Sequence, residues 1–150
     1  MSRSGYSDDS DDFDDENNAG ALYRANVERT IHGKRGQAFL REMAAALDAM
    51  PVKELIAHEF ISETGCVCAM GAVAQARKLE IPKGFDEGVP WEVGALLRIT
   101  PMLAAEIAYH NDERGPVRAE ETPAQRWQRM RSWVREHVRS AQSESVARDE

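Results

Sequence analysis

The chain has 150 residues, 42% of them hydrophobic, with a formal net charge of −7 and two cysteines. That length predicts one domain, large enough to bury a core without metal or disulfide staples. The acidic balance argues against general binding of nucleic acid or anionic membrane by the whole molecule. No apolar run approaches the ~20 residues needed to cross a bilayer, and the start is polar and acidic, unlike a signal peptide. Cys66 and Cys68 stand one residue apart, poor spacing for a bridge, which fits a reducing, cytoplasmic setting.

The charge is concentrated at the front. Asp8, Asp9, Asp11, Asp12, Asp14, Asp15 and Glu16 fill seven of the nine positions from 8 to 16, and residues 1–20 supply −6 of the net charge. Such a run buries too little apolar surface to offset the entropy of ordering it, so residues 1–20 read as a disordered acidic tail. Residues 21–140 read as a single helical domain, and 141–150 as a frayed end. Leu22, Tyr23, Val27 and Ile31 recur near helical spacing and predict a first short helix that stops at Gly33. Phe39, Leu40, Met43, Ala44, Leu47 and Met50 form a broad apolar stripe and a second helix. Pro51 ends it and opens an expected further turn of helix, with Val52, Leu55 and Ile56 inward. Residues 59–65 read as an extended or irregular stretch closed by Gly65.

Ala69, Met70, Val73, Ala74 and Leu79 predict a small-residue helix able to pack closely. A loop from Ile81 to Val89 leads to a short helix over Trp91–Leu97. Thr100-Pro101 is a helix start, Thr capping and Pro at the first helical position, for a helix ending near Asn111. A polar loop with Gly115-Pro116 follows. Thr122-Pro123 repeats the start signal with Gln125 at the reciprocal capping position, opening a helix to about Arg139 that carries Trp127, Met130, Trp133, Val134 and Val138. The expected fold is all-α: a compact bundle of about six short-to-medium helices behind an acidic tail.

A resemblance accompanies this reading. Gly5-Tyr6-Ser7-Asp8-Asp9, the run Gly33-Lys34-Arg35-Gly36-Gln37-Ala38-Phe39-Leu40, Val67-Cys68-Ala69-Met70-Gly71-Ala72-Val73, Asn111-Asp112-Glu113, Glu121-Thr122-Pro123, Arg126-Trp127 and Trp133-Val134 resemble a family of small uncharacterised proteins of bacteriophages, prophages and proteobacteria. The resemblance spans most of residues 5–138 and implies a small soluble protein of phage type, with no activity or catalytic residue attached. The acidic run is longer here than the resemblance leads one to expect, so a tail function can be particular to this chain.

Cys66-x-Cys68 offers two thiolates, but a structural zinc site needs four ligands, and His32, His58, His110 and His137 are scattered. The simpler reading is a buried Cys68 on the inner face of a helix, with Gly71 and Ala72 allowing close approach. Gly33-Lys34-Arg35-Gly36 precedes a helix and can hold a phosphate or carboxylate with Lys34, Arg35 and free amides, or be a tight turn with two solvated cations. It lacks P-loop spacing.

Trp91 to Tyr109 has the outline of a helix-turn-helix. Its second helix, however, lacks the Arg, Lys, Asn or Gln that would reach base edges, and Glu106 would repel DNA, so it reads as a packing unit. Arg131, Arg135 and Arg139 stand at i, i+4 and i+8, with Arg126 and Arg129 nearby. They predict either a surface for an acidic partner, RNA or the tail, or a solvated face with cations near a helix C-terminus. Glu106 and His110, four apart, read as an acid/base pair or as a surface hydrogen bond.

No cofactor motif and no catalytic signature stands out. The leading expectation is a non-enzymatic accessory protein binding a host macromolecule, its acidic tail engaging a basic surface on a host protein, as an inhibitor would. Two others stand beside it: a small nucleic-acid-binding or regulatory protein using the Arg-rich last helix, and a thiol or acid/base enzyme around Cys68 or Glu106/His110.

Overall fold

The computed structural model describes residues 17–113 and 120–139, which form six α-helices and no sheet. The acidic run 8–16, Gly115-Pro116 and residues 141–150 lie outside the described residues. The helices are α1 (Asn17–His32), α2 (Lys34–Ala49), α3 (Ala69–Ala76), α4 (Pro90–Leu97), α5 (Pro101–Asp112) and α6 (Pro123–His137).

Local chemistry accounts for the helix starts. The Thr100 hydroxyl accepts from the Leu103 amide at 3.1 Å, and Thr122 and Gln125 complete a reciprocal capping box with bonds of 3.1 and 2.9 Å. Proline occupies the first position of α4, α5 and α6, where the missing amide costs no intrahelical bond.

α5 is the central helix. Leu103, Ala104, Ala105, Glu106, Ile107, Ala108 and Asn111 are all buried, and α1, α3, α4 and α6 pack around it. A helix enclosed in this way cannot enter a DNA groove. The α4–α5 pair is a packing hairpin in which a Cβ on Gly94 would stand 2.7 Å from the Ile99 carbonyl, so only glycine permits the approach. α2 is the second organiser and sits against α1, α3 and α6. Its Leu40, Met43 and Leu47 meet Val73, Ile107, Met130 and Val134 in one core, each such side chain contributing about 1.5–3 kcal/mol by leaving water. Gln37, almost wholly buried, ties three helix ends together: its amide nitrogen donates to the Ile31 and His137 carbonyls at 2.9 Å, and its oxygen accepts from the Arg139 amide at 2.7 Å.

Several boundaries differ from the sequence reading: α3 stops at Ala76, short of Leu79, and α6 at His137, short of Arg139. α1 begins at Asn17, so 17–20 belong to a helix rather than to the tail, and Leu22 and Tyr23 are exposed while Val27 and Ile31 are buried. Beyond Pro51 no helical turn forms. The Lys53 ammonium curls back onto the Leu47, Asp48 and Met50 carbonyls and caps α2. The Leu55 and Ile56 amides donate to the distant Pro123 and Val67 carbonyls, so the stretch is held by long-range bonds and Val52 is left exposed. The irregular segment after it closes through an Ile61–Val67 antiparallel bridge, with Gly65 at φ +85°.

Candidate functional site

The turn between α1 and α2 brings the end of one helix against the start of the next. A Cβ on Gly36 would lie 2.0 Å from the Thr30 carbonyl, so glycine is required for this contact. Gly33 caps α2 without a side chain, and no acid lies in the first turn. Here Lys34 and Arg35 project into solvent, beside two adjoining recesses of about 350 and 730 Å³ that share Arg35, Ile99 and Thr100. Arg29 joins from the last turn of α1, and Arg98 from the α4–α5 turn.

Arg98 is held at φ +61°, in the left-handed region, as the C-cap of α4. Glycine is the usual occupant of such a cap, and a side chain there costs about 1 kcal/mol or more. The strain coincides with a side chain that lines the groove. Phe39, Ile99 and Leu103 give the recesses apolar walls. Glu42 is the one acid among the lining residues, and Arg77 holds it through two hydrogen bonds, one of 2.7 Å. That pairing keeps the Glu42 carboxyl below its usual range. Arg29, Lys34, Arg35 and Arg98 have no such partner: their side chains form no ion pair or hydrogen bond with a described residue. The result is an apolar-walled groove with a cationic rim.

The arginines of α6 are differently employed. Arg129 grips Glu121 through two bonds of 2.6 and 2.9 Å and donates to the His110 and Asn111 carbonyls. Arg126 stands 3.2 Å from the same carboxylate and donates to the Leu55 carbonyl. Glu121 is titrated down, first by its hydrogen bond to Arg129 and then by the charges of Arg129 and Arg126. Arg131 makes a two-pronged pair with Asp48 at 2.6 and 2.7 Å, lowering the Asp48 carboxyl through that hydrogen bond. Arg135 is exposed on α6, and Arg139, also exposed, lies beyond the end of the helix rather than on it. Of the stripe Arg131, Arg135 and Arg139, the first is committed internally and the other two face solvent.

A second cleft, of about 640 Å³, lies between α1, α5 and α6. Glu106 is buried at its side, not on the surface, and its carboxylate holds the His110 imidazole at 3.0 Å. The His110 and His137 rings lie 4.7 and 4.6 Å from the Trp133 ring, and the buried Trp133 indole nitrogen has no hydrogen-bond partner among the described residues. Neither cysteine enters either site. Cys68 is buried and caps α3, its sulfur accepting from the Gly71 amide at 3.4 Å, while Cys66 is exposed on the preceding loop. Among the described residues no three His, Cys, Asp or Glu side chains converge as metal ligands, and no helix is long and apolar enough to cross a membrane.

Sequence reasoning missed Arg29, Arg98 and the organising role of Asn111. The Asn111 side chain accepts from the Ala69 amide at 3.1 Å and donates to the Ile56 carbonyl at 2.9 Å, and Asp112 accepts from the His58 amide at 3.0 Å. The last two residues of α5, Asn111 and the acid Asp112 that opposes the helix dipole, thus fasten the 56–69 segment. No protein-family model, curated protein or solved structure matches this chain.

Proposed function

We propose that the chain is a non-enzymatic accessory protein of phage type, acting in its host by binding a macromolecule through charge, with the acidic run 8–16 engaging a basic surface on a host protein. The observation that carries this reading is the separation of charge: residues 1–20 hold −6 of the net −7, ahead of a nearly neutral body. Within that body Arg126, Arg129 and Arg131 are already matched by Glu121 and Asp48, so they are not waiting counter-charges for the run. A segment dense in carboxylates competes well for a surface that otherwise holds phosphate, which is how an inhibitor of a nucleic-acid-handling protein would act.

The test is a nuclease-treated affinity capture from host lysate. It compares the full chain with a full-length variant in which the seven acids from Asp8 to Glu16 become Asn or Gln. A specific protein retained by the first and lost by the second is the expected result; equal recovery by both removes the run from the function. A second reading, acid/base chemistry, is favoured by one observation, the buried Glu106–His110 pair opening on a cleft beside the unpartnered Trp133 nitrogen. Its check is whether small molecules from lysate that shift the Trp133 indole resonance also lose that effect in Glu106→Gln.

A further inference from the structure

The groove and the acidic run are complementary in more than sign. The run is not purely polar: Phe13 stands at its middle, between Asp11-Asp12 and Asp14-Asp15. The groove is not purely cationic: its rim is Arg29, Lys34, Arg35 and Arg98, and its walls are the small exposed edges of the otherwise buried Phe39, Ile99 and Leu103. An acidic peptide with one central aromatic fits such a surface by placing the ring against the walls and carboxylates against the rim.

Nucleic acid fits less well. No exposed aromatic lines the two recesses themselves to stack a base, the exposed Trp91 lying in a separate recess beyond Arg98, and the chain as a whole carries −7, which repels a polyphosphate. The start of α2 adds its free amides to the rim, but the unpaired side chains from three separate elements make the surface.

Geometry then decides whose acidic run can occupy it. α1 has 16 residues, so its two ends are about 24 Å apart, and Arg29 lies about 18 Å along the axis from Asn17. Phe13 lies four positions before Asn17, and even fully extended that stretch spans about 14 Å. On their own chain Phe13 and the three acids after it therefore reach at most Arg29, the near edge of the groove; only the far end of the run reaches past it. A second copy has no such limit.

We propose that the groove formed by Arg29, Lys34, Arg35 and Arg98 over Phe39, Ile99 and Leu103 is a binding site for an acidic peptide segment, and that its occupant is the run Asp8–Glu16 of a second copy of this chain. The contact is heterologous, front of one molecule to groove of the next, and host targets with a basic surface compete with it for the run. The inference shares with the proposed function only the use of the run as a binding element. The experiment below contains no host component, so the two fail separately.

The test uses a labelled synthetic peptide of residues 5–16, titrated with the full-length variant whose seven acids are neutralised, so that the groove is not already filled. Saturable binding is expected, weakening about tenfold or more in Arg35→Glu/Arg98→Glu on the same background, weakening with added salt, and weakening when the peptide carries Phe13→Ala. The unmodified chain should gain mass with concentration in low-salt sedimentation, and the neutralised chain should not. If charge reversal prevents folding, Lys34→Gln/Arg35→Gln replaces it. No saturable binding of the peptide, or binding unchanged by either groove variant, overturns the proposal. Tighter binding of an oligothymidylate than of the peptide, lost in the same variants, also overturns it and assigns the groove to nucleic acid.

Discussion

Arg129 and Arg35 carry the same guanidinium, yet one is enclosed by a carboxylate and two carbonyls while the other faces solvent. The contrast extends to their neighbours. Along α6, Arg126, Arg129 and Arg131 answer to Glu121 and Asp48 and bind α6 to the loop before it and to α2. Around the start of α2, Arg29, Lys34, Arg35 and Arg98 answer to no described carboxylate. Density of arginine in the sequence is greatest in the first region, and availability of cations is greatest in the second. A charged stripe is thus a weak guide to a binding surface, because a folded chain spends cations on its own acids wherever it can desolvate the pair.

The comparison can be broken by substitution, beginning with the largest effect. Arg129→Ala leaves Glu121, 7% exposed, with only Arg126 beside it and two carbonyls unanswered; a loss of about 3 kcal/mol is expected in urea unfolding, as for removing one partner of a buried pair. A loss below about 1 kcal/mol would mean that Glu121 and Arg129 are solvated after all.

Acid sharpens the same contrast. Glu121, Glu42 and Asp48 all have carboxyl groups lowered by hydrogen bonds to arginine, from ordinary values of 4.5, 4.5 and 3.8. Their contribution to stability is complete above those values and is lost as pH falls through the lower folded ones. Melting temperature should therefore hold between neutrality and about pH 5 and drop below it, and the drop should be shallower in Glu121→Gln. An identical slope in that variant refutes the assignment.

Smaller effects follow. Arg131→Ala removes a pair whose acid is half exposed, so about 0.5–1 kcal/mol is expected after allowing for screening, and the loss should shrink at high salt. Arg98→Gly relieves a left-handed side chain and should raise stability by about 0.5–1 kcal/mol while removing a groove cation. Lys34→Glu/Arg35→Glu touches no described partner, and its unfolding midpoint should lie within about 0.5 kcal/mol of the parent. A large loss there would show that the groove is structural.

Helix starts were legible because they are decided locally: Thr100-Pro101 and Thr122-Pro123 with Gln125 need only their own neighbours. The core stripes of α2 and α3 were legible for the same reason. The partners of α6 were not, since Asp48 lies 83 residues from Arg131 and nothing near either announces the other. Half of the groove was readable in Lys34 and Arg35. Arg29 and Arg98 were hidden, one inside an ordinary helix and the other at a left-handed cap that no glycine marks. The stretch after Pro51 misled because its amides are satisfied from Val67 and Pro123, across the fold.

The Gln37 clamp has a consequence for attachment. By holding the Arg139 amide and the His137 carbonyl, it fixes the exit point of α6 beside the start of α2, from which Lys34 and Arg35 also project, whereas the acidic run joins at the opposite end of α1, a helix about 24 Å long. Whatever is joined beyond Arg139 is tethered close to the groove at an effective concentration on the order of millimolar, independent of how dilute the protein is. A reporter or competing peptide placed at that end would sample the groove as an intramolecular neighbour.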